Sequence, residues 1–242
     1  MWIYGRRAVL EALQEGTAQR LMLAHGLQPS ATKALEQAAK QAGVDVERVP
    51  RHQLDRSLGT TSHQGVVAEL PEVTLSRLED AQALAQKRDE PLLLVVLDQI
   101  QDPRNYGAIV RAAEVLGAHG VVTDDRNSAP ITAVVVKAAA GATAHLPLIR
   151  VTNLVRFLKQ IKDEGAWVYG ADAGDAVAPG QLDWDRPLAI VIGSEGHGMR
   201  RLVGEQCDAK VHIPSSGQVA SLNASVAAGI LLYAAQEGRR GA

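Results

Sequence analysis

Three stretches of this sequence carry side chains suited to chemistry on a polar ligand: "DQIQDPRNYGAIVRAAE" from Asp98, "GSEGHGMRR" from Gly193 and "PSSGQVASLN" from Pro214. In the first, Arg111 stands among Ala108, Ile109, Val110, Ala112 and Ala113. A guanidinium on such a face is costly to bury alone. Either it pairs with a carboxylate such as Glu114 or Glu195, or its planar fork of donors meets a phosphate or carboxylate of a ligand. Asp102, Pro103 and Asn105 are good turn formers whatever they bind. In the second stretch Gly193, Gly196 and Gly198 allow close backbone approach beside Glu195. In the third, Ser221 or Asn223 suits the N-cap of the last helix, and the pair flanking Leu222 also suits a polar ligand.

Several chemistries are excluded. The glycine spacing is G-x-x-G-x-G, not the G-x-G-x-x-G of a dinucleotide fold, and no G-x-x-x-x-G-K-[ST] phosphate loop occurs. The lone Cys207 has no histidine and carboxylate constellation around it and reads as core. The seven histidines show no metal-ligand spacing, so no metal is expected.

The elements that must position these stretches follow from periodicity. From Leu92 onward strands and helices alternate. Strands read at 92–97, 119–123, 145–149, 166–171, 187–193 and 209–213, and helices at about 107–117, 130–140, 153–164, 198–206 and 221–237. The clearest helix puts Leu154, Phe157, Leu158 and Ile161 on one face. Near-continuous apolar strands such as "LLLVVL" and "LAIVI" imply an α/β fold whose mostly parallel sheet is covered by helices on both faces. In such sheets ligands bind beyond the carboxyl ends of the strands, and the three stretches lie at three such ends. Residues 1–70 read as a separate small α/β unit, with Val9, Ala12 and Leu13 on one helix and Leu35, Ala38, Ala39 and Ala42 on another. Residues 71–90, flanked by Pro71 and Pro91, read as a linker with a short helix at its centre, and 91–242 as the second domain. The tail "EGRRGA" reads as frayed and solvated.

Composition sets the setting. The 242 residues include 46% hydrophobic and 21% charged, enough for a real core and against disorder. No apolar run approaches the roughly 20 residues of a membrane span. There is no signal-peptide layout, and one cysteine suits a reducing compartment, so a cytoplasmic location is expected and no membrane partner. The net charge of -2 gives no global field for nucleic acid, so any RNA contact must be local, and DNA is not expected.

Taken together, "DPRNYGAIVRAAE", "IVIGSEGHGM" and "IPSSGQVASLNASVAAGILLY" resemble, in order and spacing, the three motifs of SpoU-type RNA 2′-O-ribose methyltransferases, over essentially all of 91–242. "YGRRAVLEAL" and "TSHQGVVAE" are similar to the smaller domain of the branch that methylates guanosine in 23S rRNA. The resemblance implies a C-terminal domain threaded into a trefoil knot, binding S-adenosylmethionine and forming a homodimer, behind a ribosomal-protein-like RNA-binding domain. It further implies that Asn105, Arg111, Glu195, Ser221 and Asn223 act on the substrate, while Gly193, Ile213 and Leu222 hold the cofactor largely through backbone atoms. The resemblance offers the arginine as a general base, but a guanidinium normally stays protonated, so the role expected for Arg111 is instead to bind phosphate and stabilise charge on the 2′-oxygen, oriented with the ribose by Asn105 and Glu195. The sequence departs from the family where Ser215 and Ser216 follow Pro214 in place of a usual methionine, and where Arg6 or Arg7 stands for a frequent histidine. A tRNA ribose methyltransferase of the same fold, or a noncatalytic RNA-binding ribosome-assembly factor, are the alternatives.

Overall fold

The structure, a computed structural model, describes residues 1–172, 174, 176–218 and 221–240. The chain forms two compact units, Met1–Val73 with Ile131–Gly141, and Thr74–Pro130 with Ala142–Ala242.

The first unit runs β1 (Trp2–Tyr4), α1 (Arg6–Gln14), β2 (Arg20–Ala24), α2 (Pro29–Ala42), β3 (Asp45–Val49), α3 (Arg51–Leu58) and β4 (Val66–Glu69). Its sheet has the order β1-β4-β2-β3, antiparallel except for the parallel β2–β3 pair. The apolar stripe of α1 (Val9, Ala12, Leu13) and that of α2 (Leu35, Ala38, Ala39) are buried in one core with Leu21, Leu23 and Val66, whereas Ala42 is exposed. His63 is fully buried; its Nδ1 accepts from the Gly65 amide at 3.0 Å and its Nε2 meets Asp55 at 2.7 Å. A later helix, α6 (Ala133–Ala138), also belongs to this unit: Val136 joins the core and Lys137 pairs with Glu11.

The second unit contains α4 (Leu78–Arg88), β5 (Leu93–Leu97), α5 (Pro103–Val115), β6 (Gly120–Asp124), β7 (Leu148–Val151), α7 (Leu154–Asp163), β8 (Trp167–Ala171), β9 (Leu188–Ile192), α8 (Arg201–Gly204), β10 (Ala209–Val211) and α9 (Ala224–Arg240). Among the described residues its sheet is wholly parallel, in the order β10-β8-β9-β5-β6-β7. β5, β6 and β9 are buried along their whole lengths, as their continuous apolar sequences require. One face packs under α7, whose Leu154, Phe157, Leu158 and Ile161 are the stripe expected from periodicity. The chain leaves β5 toward β6 and β7 on one side, while β9 lies between β5 and β8 on the other. The carboxyl ends of β5 and β9 therefore flank the switch point at which such sheets bind ligands.

Several elements differ from the sequence expectation. Strand β1 and helix α3 are short and went unread. Helix α5 starts at Pro103 rather than 107, because Asp102 caps it by accepting from the Arg104 amide at 2.8 Å and proline fits the first helical position. Most of the segment read as a linker is α4, whose Leu78 and Ala81 enter the second unit's core. Of the tail read as frayed, Glu237–Arg240 are helical as the end of α9, and Gly241 and Ala242 lie outside the described residues. A Cβ on Gly238 would sit 2.7 Å from Trp184, so only glycine lets the helix pass that ring. Beside it Arg239 donates to four main-chain carbonyls, those of Pro91 (2.7 Å), Leu92 (3.2 Å), Trp184 (3.1 Å) and Arg186 (3.0 Å). These bonds tie the last helix to the start of β5. Cys207 is core-like as expected: burial pushes its thiol up to about 11, so it stays protonated near neutral pH.

Arg239→Met should leave these carbonyls short of donors and lower stability by about 2–3 kcal/mol. Urea unfolding checks this, with Arg239→Lys recovering only part of the loss, because an ammonium cannot span all four acceptors.

Candidate functional site

Two buried carboxylates close the central strands. Asp98 directly follows β5 and is fully buried, and Asp124 ends β6. Arg200 serves both. Its amide and Nε donate to Asp98 at 2.7 and 2.6 Å, and its Nη2 donates to Asp124 at 2.8 Å. Asp124 also accepts from the main chain and side chain of Asn127 at 2.9 and 2.8 Å. Burial alone would push the arginine down and Asp124 up. Pairing and hydrogen bonding reverse both, leaving Arg200 above and Asp124 below its ordinary value. Both therefore stay charged, and the loop before α8 is pinned to the ends of β5 and β6.

That loop is the glycine stretch. Ser194 and Gly198 exchange main-chain hydrogen bonds at 3.0 and 2.9 Å, closing a tight ring. A Cβ on Gly193 would lie 2.2 Å from the Gly198 carbonyl carbon, so the ring closes only on a bare backbone. Gly196 and Gly198 take φ of +84° and +66°, the left-handed region that favours glycine. The ring thus explains the G-x-x-G-x-G spacing and leaves Glu195 and His197 exposed.

Glu195 is the meeting point of the three stretches. Its Oε1 accepts from Asn105 Nδ2 at 2.9 Å, from Asn223 Nδ2 at 2.6 Å and from the Ala224 amide at 3.3 Å. Asn223 Nδ2 also donates to Asn105 Oδ1 at 3.1 Å. The carboxylate sits against the first turns of α5 and α9, where helix dipoles favour negative charge. Its other oxygen, Oε2, bonds to no described residue. Asn223 takes the capping role weighed for it, its Oδ1 accepting from the Ser225 amide at 2.9 Å at the start of α9, and its amide nitrogen also reaches Glu195.

The other expected site residues are placed differently. Arg111 is exposed and bonds to no described residue, so it is neither a core charge paired with Glu114 nor a partner of Glu195. Ser221 is exposed and has no hydrogen bond to a described residue, and Leu222 is 44% exposed. Ile213 is half-buried in the loop after β10. Val219 and Ala220 of the third stretch lie outside the described residues. Tyr106, beside Asn105, is buried, and burial pushes its phenol up, so it remains neutral.

Between the ends of β5 and β9 opens a cleft of about 520 Å³, walled by Gln99, Gln101, Asp102 and Asn105 on one side and by Glu195 and His197 on the other. Sequence reasoning missed the Asp98–Arg200–Asp124 link and these glutamines. The available signal was an aspartate closing each of the buried strands β5 and β6, where burial demands a partner. Among the described residues no cluster of three or more His, Cys, Asp or Glu could hold a metal ion, and no helix is long and apolar enough to cross a membrane.

Comparison with known proteins agrees with this geometry. The model of the SpoU rRNA methylase family matches residues 92–233, and that of RNA 2′-O ribose methyltransferase substrate binding matches residues 2–76. YacO of Bacillus subtilis, whose name places it with TrmH family tRNA/rRNA methyltransferases, is 41% identical over 96% of this chain and 93% of its own. An uncharacterized tRNA/rRNA methyltransferase of Mycolicibacterium vanbaalenii is 44% identical over 99% of this chain and 77% of its own. Among solved structures, the SpoU methyltransferase AviRb of Streptomyces viridochromogenes, in complex with AdoMet, shares the fold with a TM-score of 0.66 at 24% identity, covering 100% of this chain and 91% of that one. With its three motifs gathered at one carboxylate beyond a parallel sheet, the chain belongs to the SpoU methyltransferase family.

Proposed function

We propose that this protein methylates a ribose 2′-hydroxyl of RNA with S-adenosylmethionine, its target a guanosine of 23S rRNA. The observation that carries this reading is the convergence of Asn105, Glu195 and Asn223, from three separated motifs, on one carboxylate oxygen. The residues present fit the cofactor. Amides of Glu195, Gly196 and His197 bond to no described residue, and an exposed backbone of this kind suits the polar groups of a nucleoside and an amino acid. Gly193, Ile213 and Leu222 are proposed to hold it through main-chain atoms. When bound, it supplies a methyl group activated by a sulfonium, which a ribose 2′-oxygen can displace.

The chain's own residues have two tasks. The unbonded Oε2 of Glu195 can accept from a ribose hydroxyl, and Asn105 and Ser221 complete the polar surroundings. Such alignment is worth roughly 7–11 kcal/mol when the reacting groups are held near attack geometry. Arg111, exposed and permanently charged, binds the nucleotide's phosphate and stabilises charge developing on the 2′-oxygen. It does not act as base, since a guanidinium holds its proton at any ordinary pH.

In this reading the first unit binds RNA, and the second, with α4 packed into its core rather than serving as a linker, is a trefoil-knotted catalytic domain working in the cytoplasm as a homodimer. The dimer is supported by an exposed apolar row on α9, Val226, Ile230 and Tyr233, next to α5 with its exposed Val115.

Incubation with tritiated S-adenosylmethionine and separate rRNA and tRNA pools from a strain lacking the protein tests the function. Label should appear on a 23S rRNA ribose. Label in tRNA alone would replace the rRNA assignment, and no label together with no cofactor binding in calorimetry would favour the noncatalytic reading. In the same assay Arg111→Ala should reduce transfer by about 100-fold or more with cofactor binding retained, and Arg111→Lys should recover only part of it. Light scattering should give twice the chain mass for the wild type and the monomer mass for Ile230→Asp/Tyr233→Glu. A monomeric wild type would remove the dimer from the proposal.

A further inference from the structure

The side chains around the cleft divide into two sets. Asp102, Asn105, Ser194 and Glu195 are bonded within the protein: to the Arg104 amide, to each other across the node, and to the Gly198 carbonyl. The amides of Gln99 and Gln101 bond to no described residue, although both line the cleft. The bonded set builds the site and leaves the two glutamines, with the exposed His197 opposite them, to meet whatever enters it.

The backbone holds them there. On one side Asp98 is fully buried and locked by Arg200. On the other, Ile100 is buried and its carbonyl accepts from the Ala129 amide at 2.9 Å. With both neighbours fixed, Gln99 adopts φ of +63°, a left-handed conformation that a glycine would take without strain. A glutamine kept at a glycine-favouring position points to use of its side chain. Residues 99 and 101 flank the buried Ile100, so both amides stay at the cleft while the isoleucine anchors the turn.

We infer that Gln99 and Gln101 are specificity-determining residues that read the edge of the nucleobase whose ribose lies at the Asn105–Glu195–Asn223 node. This rests on the function proposed above. A primary amide offers a donor and an acceptor side by side, the pattern that pairs bidentately with a base edge. Proteins that act on RNA by sequence hydrogen-bond unstacked bases in this way. The base of the target nucleotide is the occupant assigned, because the two amides share the cleft with Asn105 and Glu195, proposed to meet its ribose, whereas Gly193, Ile213 and Leu222, proposed to hold the cofactor, do not line it and the cofactor side borders it only at Glu195 and His197.

The test compares the full-length wild type with Gln99→Gly, Gln101→Ala and the double variant. Gln99→Gly removes the amide while relieving the strained backbone, so folding is preserved. Each protein is given tritiated S-adenosylmethionine and rRNA from a strain lacking it. Three quantities are measured: KM for RNA, the identity of the 2′-O-methylated nucleosides by mass spectrometry, and cofactor affinity by calorimetry. The double variant should raise KM for RNA about tenfold or more and methylate more than one kind of nucleoside, with cofactor affinity unchanged. An unchanged KM with the same single nucleoside would overturn the inference. So would a loss of cofactor affinity in step with activity, which would assign the amides to the cofactor. A wild type that labels no RNA would instead bring down the proposed function itself.

Discussion

The site depends on one buried ion cluster, Asp98–Arg200–Asp124. Two carboxylates at the ends of the central strands are tolerable because one guanidinium answers both and Asn127 adds two hydrogen bonds to Asp124. In doing so Arg200 ties the loop that follows β9 to the ends of β5 and β6. The glycine ring then has no freedom to drift, and its geometry presents Glu195 at a fixed point above the switch between strands. Removing either partner would leave a charge stranded in the interior, which is why the arrangement holds as a unit.

From that fixed point the helices are organised. Glu195 receives Asn105 from the first turn of α5 and Asn223 with the Ala224 amide from the start of α9. Asn223 caps its helix with one side-chain atom and reaches the node with another, so fold stability and site construction share the same residue. At its far end α9 is held by Arg239 on four carbonyls, two of them beside the start of β5. The helix is thus anchored at both ends, while Arg111 and the two cleft glutamines remain unbonded and open to a ligand. Rigid groups build the site and unbonded ones face outward from it.

Much of this was legible where the physical signal is local. Helix α7 was readable because its stripe repeats with the helical period, and β5 and β9 because uninterrupted apolar strands must be covered on both sides. The motif residues were readable as polar side chains at strand ends. The first turn of α5 was not, since D-P-x-N fits a turn and a capped helix start equally well. Helix α4 was hidden by its polar, proline-flanked composition, although Leu78 and Ala81 are buried. Arg239 looked like tail because nothing near it in sequence supplies an acceptor; its carbonyls lie 53 to 148 residues away.

The sequence by itself determined most of the longer elements, the family resemblance and the residue types available to the site, because propensity, capping and periodicity act over a few neighbours. Tertiary structure alone decided which of those residues meet. Asn105 and Glu195 are 90 residues apart, Arg200 and Asp98 are 102 apart, and Asn105 and Asn223 are 118 apart. These pairs form because β9 inserts beside β5. That strand order is set by packing of the whole sheet, not by any local pattern.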